Sequence, residues 1–424
     1  MSGLACEPAA LFHLPTLLLR VACLLLLPAA GAAAQALPTG LPPLPPPGVE
    51  AHFEIDLAPA VADGRFDPQR DRIGLRGSAA PLSWGASAYP VALSGHRYGV
   101  RVRIERPPFG GQPLQYKFVI ERGARGLPDI WEPGRNHPLW LQPAPDVTGP
   151  VGRVARAFGA EPAALPVRRA GTIESLGVVR SAHVMAREVQ VWLPPDHGSD
   201  PTRRYPVLVL HDGQNVFDAS HAGAEWQFDE TAQRLAASRL IDPPIIVAVG
   251  AGPDRMADYT PTAAPFGSPP RRQGGGAGAY GRFLAEELLP LIAQRYRIRP
   301  GPAGTAVGGS SLGGLVSLWL ALHRPDVFGA ALVVSPSLWW GNESALRDVL
   351  ARPPGSPRPR LWLDMGGRES EQGIAQARAL REALRQKGWS AQELAYVEDP
   401  LGTHDEATWA SRVEGMLRFL YGRL

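Results

Sequence analysis

Ser311 lies in Gly309-Ser310-Ser311-Leu312-Gly313, a G-x-S-x-G run. A serine at a sharp strand-to-helix turn can hold its hydroxyl above a sheet edge as a nucleophile, and flanking glycines make room for the turn. The surroundings fit that context. Thr305-Ala306-Val307 is a short strand-like run before the serine, and Leu315, Leu318, Trp319 and Leu322 recur at helical spacing after it. The backbone N–H of Leu312 would then stand at a helix N-terminus, where it can stabilise the oxyanion of a tetrahedral intermediate. The chemistry implied is acyl transfer through an acyl-serine.

Such a serine needs a base and an orienting acid, which in α/β-hydrolases follow the nucleophile in the order acid, then histidine. Only His323 and His404 follow Ser311. His323 falls at the far end of the helix that begins at the turn, well away from the hydroxyl. His404 remains, in the loop Leu401-Gly402-Thr403-His404-Asp405-Glu406, ahead of a helix with the apolar face Trp409, Val413, Met416, Leu417 and Leu420. Two carboxylates could orient it: Asp364, which ends a strand, and Glu369, in the loop that follows. Loop position favours Glu369.

The elements that must hold these residues alternate from residue 171 onward. Continuously apolar runs at 189–193, 207–210, 245–249, 305–307, 331–334, 361–363 and 394–397 read as strands covered on both faces. Helical runs at 280–295, 371–387 and 405–420 lie among them, so 171–424 is expected to be a doubly wound, mostly parallel α/β-hydrolase sheet.

The chain of 424 residues suits two domains, and 45% hydrophobic content supports real cores. Lys117 and Lys387 are the only lysines, and the net charge of +3 has no basic block behind it, which argues against nucleic acid as a partner. Arg20, an apolar run and Ala32-Ala33-Ala34 form a secretory signal pattern, so 1–34 is expected to be cleaved, leaving an exported protein, periplasmic or extracellular, without a membrane anchor. Cys6 and Cys23 both fall inside that segment, which removes thiol chemistry from the mature chain. Residues 35–48 are a proline-rich linker, and 146–170, rich in Pro, Gly, Ala and Arg, read as a second one.

Between the linkers, 49–145 shows short alternating runs broken by turn residues, the pattern of a small antiparallel β-sandwich. Leu75-Arg76-Gly77, Pro81-Leu82-Ser83-Trp84, Tyr116-Lys117-Phe118-Val119 and Trp131-Glu132-Pro133-Gly134-Arg135-Asn136 resemble the family 20 carbohydrate-binding modules, the starch-binding domains. The resemblance implies a glucan site of Trp84, Lys117, Trp131, Glu132 and Asn136, with α-glucan as a partner. Indole faces suit the apolar face of glucose, and the polar groups suit its hydroxyls.

The C-terminal part resembles the esterase family that includes enterochelin and feruloyl esterases, within the α/β-hydrolases. The resemblance rests on Val191-Trp192-Leu193-Pro194-Pro195, Tyr205-Pro206 through His211-Asp212-Gly213-Gln214-Asn215, the serine turn, and Gly402-Thr403-His404. It implies that the loop His211 to Asn215 supplies a second oxyanion donor, the Gln214 N–H. In feruloyl-esterase-like members the acid follows a Gly-Thr-Asn pattern, which maps through Gly366-Gly367-Arg368 onto Glu369; Thr and Asn are absent here and Glu replaces Asp, so Asp364 stays open. Arg255, Tyr259, Trp339 and Trp340 fall in loops expected at the carboxyl ends of strands, where ligands bind.

No metal-ligand spacing, phosphate-cradling loop or dinucleotide fingerprint occurs, so no cofactor is implied. The expectation is a secreted serine ester hydrolase joined to a starch-binding-like module. Its rivals are an acyltransferase to a sugar hydroxyl and a non-catalytic glucan-binding protein.

Overall fold

Eight strands make the sheet that carries the serine. The structure, a computed structural model, describes residues 48–105, 112–141, 152–161, 169–219, 224–267 and 270–423. The signal segment, both cysteines and nearly all of the proline-rich run lie outside the described residues. In the first half of the chain the strands are β1 (Val49–Asp56), β2 (Arg72–Gly77), β3 (Val91–Ala92), β4 (Arg97–Ile104), β5 (Leu114–Glu121), β6 (Ile130–Trp131), β7 (His137–Leu139) and β8 (Arg153–Ala157). Then follow β9 (Thr172–Val179), β10 (Arg187–Leu193), β11 (Val207–Leu210), β12 (Ile245–Val249), a hairpin of β13 (Ala263–Phe266) and β14 (Arg271–Gly274), and β15 (Thr305–Ser310), β16 (Ala330–Val334), β17 (Arg360–Gly366) and β18 (Leu394–Asp399).

The large sheet runs in the order β18-β17-β16-β15-β11-β12-β10-β9. It is parallel from β18 to β12, while β10 lies antiparallel to both β12 and β9. Val207, Val209, Val247 and Val307 bury one face, and Leu208, Ile246 and Leu332 bury the other. Helices cover both faces, as the two-sided apolar runs require. β9 has no counterpart among the expected strands. It is an edge strand whose side chains are mostly exposed, so it carries no continuous apolar run.

The N-terminal strands form two four-stranded sheets, β3-β4-β1-β8 and β2-β5-β6 with β7 on β5. They share one apolar core that includes Phe53, Ile55, Leu75, Ile104, Tyr116 and Phe118. Phe53 meets Tyr116 edge to face at 5.0 Å. Two expectations are corrected here. The pairing is not wholly antiparallel, because β1 and β8 run parallel, with Phe53 opposite Val154. The stretch 146–170 is also not only a linker, since β8 lies within it. That strand hides in sequence because buried Val154 is flanked by exposed Arg153 and Ala155 in a segment only 5 residues long.

The described residues, from 48 to 423, belong to one compact unit. Gln112 exchanges two hydrogen bonds with the backbone of Glu225, donating to its carbonyl at 3.0 Å and accepting from its N–H at 3.0 Å. Among the described residues no helix is long and apolar enough to cross a membrane.

Candidate active site

Ser311 stands between β15 and helix Leu312–His323 with φ 58° and ψ −120°, a positive φ that costs a non-glycine residue strain. Its N–H donates to the Val334 carbonyl at 3.0 Å, and its Oγ lies 3.1 Å from Ser337 Oγ. The turn depends on missing side chains. A Cβ on Gly309 would lie 3.0 Å from the Gly313 backbone, and one on Gly314 would lie 2.8 Å from the Val334 carbonyl oxygen. Leu312 opens the helix, so its N–H has no acceptor within it.

His404 Nδ1 lies 2.7 Å from Glu369 Oε2. The imidazole stays 42% exposed while the carboxylate is nearly covered at 4%, so this side of the ring is fixed and the other is open. Glu369 Oε1 also accepts from Ser335 Oγ at 2.6 Å and from the Gly366 N–H at 2.9 Å. Burial alone would raise this carboxyl, but the hydrogen bonds and charge of His404, with Ser335 and Gly366, outweigh it and hold the group below its ordinary value. Trp409 packs edge-on against the His404 ring at 5.1 Å.

Asp364 is placed elsewhere. It is fully buried, accepting from Trp362 Nε1 at 2.7 Å and from the Ser335 N–H at 3.1 Å, with Arg412 Nη2 at 3.1 Å. Burial raises it, against the pull of Arg412. Of the two candidate acids, the structure therefore joins Glu369 to the histidine and Asp364 to the floor beneath.

The loop after β11 turns tightly at Gly213–Asn215. Asp212 precedes the turn at φ 53° and pairs with Arg255 through two 2.7 Å contacts, while its N–H donates to Tyr259 Oη at 3.1 Å. Gly213 could carry no side chain, since a Cβ would meet the Ala248–Val249 backbone at 2.6 Å. Gln214 Oε1 accepts from the Ala251 N–H at 3.0 Å, and Asn215 Nδ2 donates to Glu406 Oε1 at 2.9 Å. The Gln214 N–H precedes the first bond of the turn, Asn215 N–H to the Asp212 carbonyl, and like Leu312 has no acceptor within its own turn. Of the remaining loop residues, Tyr259 and Trp340 are buried, with Trp340 Nε1 donating to the Thr262 carbonyl at 2.8 Å.

Ser311, His404 and Glu369 line one cavity of about 530 Å³, shared with Ser337, Trp339 and, from the N-terminal sheets, Trp84. The five residues of the expected glucan site are not gathered on one exposed face. Trp84 faces this cavity. Glu132 is buried at 1% exposure, where it binds Arg156 at 2.6 Å and accepts from the N–H groups of Phe118 and Gly159, so its oxygens are committed inside the fold. Lys117 donates to the Gly134 carbonyl at 2.6 Å, Trp131 lies under the Arg76 guanidinium at 4.9 Å, and Asn136 is half-buried. Lysine and glutamate here are tied to local structure, while Trp131 stays 39% exposed.

Away from this cavity, Glu225, Asp229 and Glu230 bring carboxylate oxygens within 4.8 Å of one another. Burial, then the charge of Glu230, pushes Asp229 up to about 9, so at neutral pH this group keeps a proton.

Sequence reasoning missed Ser337 and Ser335 as neighbours of the site; it named Arg255 and the loop holding Asp212, but not their pairing. Ser335 left no signal in the sequence, since its positive φ, just past a strand that adjoins the serine strand, shows only in the structure.

The family described as Putative esterase matches residues 183–420. Ferri-bacillibactin esterase BesA of Bacillus subtilis is 30% identical over 173 residues, covering 38% of this chain and 57% of that protein. The Bacillus subtilis protein YbbA is 25% identical over 246 residues, covering 56% of this chain and 93% of its own length. The enterochelin esterase of Shigella flexneri shares the fold with a TM-score of 0.56 at 18% identity, over 88% of this chain and 91% of its own. That coverage is too large for the eight-stranded sheet and its helices alone, so the likeness of fold extends into the N-terminal sheets.

Proposed function

Since the chain belongs to the Putative esterase family and is a carboxylic ester hydrolase, we propose that it cleaves its substrate through an acyl-enzyme on Ser311. Ser311 Oγ attacks the ester carbonyl while His404 Nε2 takes its proton. Glu369, on the opposite ring nitrogen, fixes the tautomer and stabilises the imidazolium. The Leu312 and Gln214 N–H groups hold the oxyanion, each such donor being worth about 3 kcal/mol in the transition state. The proton passes from His404 to the leaving alkoxide; water then attacks the acyl-serine, with His404 again as base, and releases the acid.

The observation that carries this reading is the 2.7 Å contact of His404 Nδ1 with Glu369 on the cavity that Ser311 also lines. Export is part of the proposal and rests on the signal pattern at 1–34. Relatives include a siderophore enterobactin esterase and a siderophore triacetylfusarinine C esterase, which supports a siderophore ester as substrate. Trp84 in the ester cavity and Glu132 in the core speak against a glucan tether.

The test is hydrolysis of a small chromogenic ester by the wild type and by Ser311→Ala, with and without an added alcohol. Free acid released by the wild type alone supports hydrolysis; acyl transfer to the alcohol as the main product supports the acyltransferase instead. Equal turnover by Ser311→Ala rejects the acyl-serine.

A further inference from the structure

The cavity beside Ser311 is closed on one side by the N-terminal sheets. The segment Ser83-Trp84-Gly85, which follows β2, lines it together with Ser311, Trp339 and His404. The segment is held firmly. Arg76 Nη1 donates to the Trp84 carbonyl at 3.2 Å and Arg76 Nε to Ser87 Oγ at 2.9 Å, and Ser87 Oγ in turn donates to Glu121 at 2.6 Å. Its base is tied to the catalytic loops as well. Thr403, next to His404, donates to the Ser78 carbonyl at 2.5 Å, and Arg368, next to Glu369, pairs with Glu105 at 2.5 Å.

Most of the cavity wall is serine, glycine, proline and threonine, so its broad apolar surfaces are few: Trp84 from the N-terminal sheets, and Trp339 and Met365 from the catalytic sheet. Trp339 is 44% exposed and is braced from behind by Phe266, stacked at 5.8 Å with 24° between the rings. Indole faces favour flat groups, since a ring gains offset stacking or edge contacts that an aliphatic chain of equal area does not. The volume of about 530 Å³ suits a group of one or two rings.

We infer that Trp84 is a specificity-determining residue of the ester site, and that the N-terminal sheets select esters carrying a flat ring next to the scissile bond. This rests on ester cleavage at Ser311. It gives the N-terminal sheets a task other than carbohydrate tethering: they complete the substrate pocket.

The experiment measures kcat and KM of the full chain and of Trp84→Ala, Trp84→Leu, Trp84→Phe and Trp131→Ala on two pairs of esters. Methyl benzoate against methyl butyrate places the ring on the acyl side. Phenyl acetate against ethyl acetate places it on the alcohol side. Trp84→Ala and Trp84→Leu should raise KM for the ring-bearing member of one pair by about tenfold relative to its aliphatic partner. Trp84→Phe should keep most of that preference, and so should Trp131→Ala, whose ring lies outside the cavity and reaches Trp84 only through the Arg76 guanidinium. The pair that responds identifies the side of the ester bound. Should Trp84→Ala fail to fold, Trp84→Leu, which keeps bulk without a flat face, gives the same reading. Equal shifts on ring-bearing and aliphatic esters, or none, overturn the assignment while Ser311→Ala still abolishes turnover. If the wild type hydrolyses none of the four and Ser311→Ala matches it on every other ester, the cleavage reading fails first and this one with it.

Discussion

The Thr403 hydroxyl donates a 2.5 Å hydrogen bond to the carbonyl oxygen of Ser78, joining the residue beside His404 to a segment 325 residues earlier in the chain. Both groups are buried, so water cannot replace the bond. The same hydroxyl contacts the buried Asp405 carboxylate, so Thr403→Val keeps the shape but takes a partner from both acceptors, which should cost about 1–3 kcal/mol. Thermal unfolding would show a lower midpoint, and KM for the ester should rise because the wall carrying Trp84 loses an anchor. An unchanged midpoint would mean that the two parts are held by other contacts.

Ser311→Ala and His404→Ala should each lower kcat on a chromogenic ester by at least about 10³-fold, because nucleophile and base act as a unit. Circular dichroism and unfolding midpoints should stay near those of the wild type, since neither side chain fills the core. Residual activity within tenfold of the wild type in either variant would remove that residue from the mechanism.

Glu369→Gln and Asp364→Asn separate a catalytic from a structural carboxylate. Glu369→Gln should cut kcat by about 10²–10⁴-fold, by letting the imidazole take the wrong tautomer and leaving its charged form unsupported. Asp364→Asn takes from buried Arg412 its nearer charge partner, at 3.1 Å, and leaves it the Asp399 carboxylate at 3.8 Å, a loss of at most about 3–5 kcal/mol. Its effect belongs mainly in the unfolding midpoint, with turnover per folded molecule kept. The opposite pattern would move the acid to Asp364.

The helix entry after His404 carries a pH signature. Burial pushes Asp405 up to about 6 and Glu406 up to about 7, from ordinary values of 3.8 and 4.5. Across that window the folded state binds more protons than the unfolded one, so this contribution is full below about pH 4 and is lost as pH rises through the folded values. Glu406→Gln removes one of these two contributions while still accepting from Asn215 Nδ2. Its stability relative to the wild type should therefore improve between pH 5 and pH 8, by up to about 3 kcal/mol. Urea unfolding at the two pH values measures the difference, and a gap independent of pH would show that Glu406 ionises freely.

The catalytic sheet was legible because parallel strands covered on both faces must be continuously apolar, as Val207 to Leu210 and Ile245 to Val249 are. His404 was legible by order alone. Loop position favoured Glu369 over Asp364 in sequence without excluding the latter, since five residues of strand end and loop decide which carboxylate turns toward the imidazole. Trp84 was misplaced for a different reason. Its neighbours fixed the local fold, but only docking through Ser78 and Glu105 decides that the ring meets an ester cavity, and contacts so distant in sequence leave no periodic trace.

The glycines around Ser311 give the last prediction. The G-x-S-x-G pattern puts weight on Gly309 and Gly313, yet a Cβ on Gly313 would meet nothing nearer than 3.5 Å, an ordinary contact with Asp212 and His211. On Gly314 it would lie 2.8 Å from the Val334 carbonyl oxygen and 3.2 Å from that of Gly309, both backbone atoms that cannot swing aside. Val334 is also the acceptor of the Ser311 N–H at 3.0 Å, so pushing it away moves the proposed nucleophile itself. Gly313→Ala should accordingly fold with equal or better stability, by about 1 kcal/mol from helix propensity, and keep its turnover. Gly314→Ala should lose both, because the same propensity gain is smaller than the cost of separating β16 from the helix. Unfolding midpoints and kcat for the two variants decide it. A Gly314→Ala enzyme as active and stable as Gly313→Ala would mean that the close approach to β16 is not what holds the serine in place.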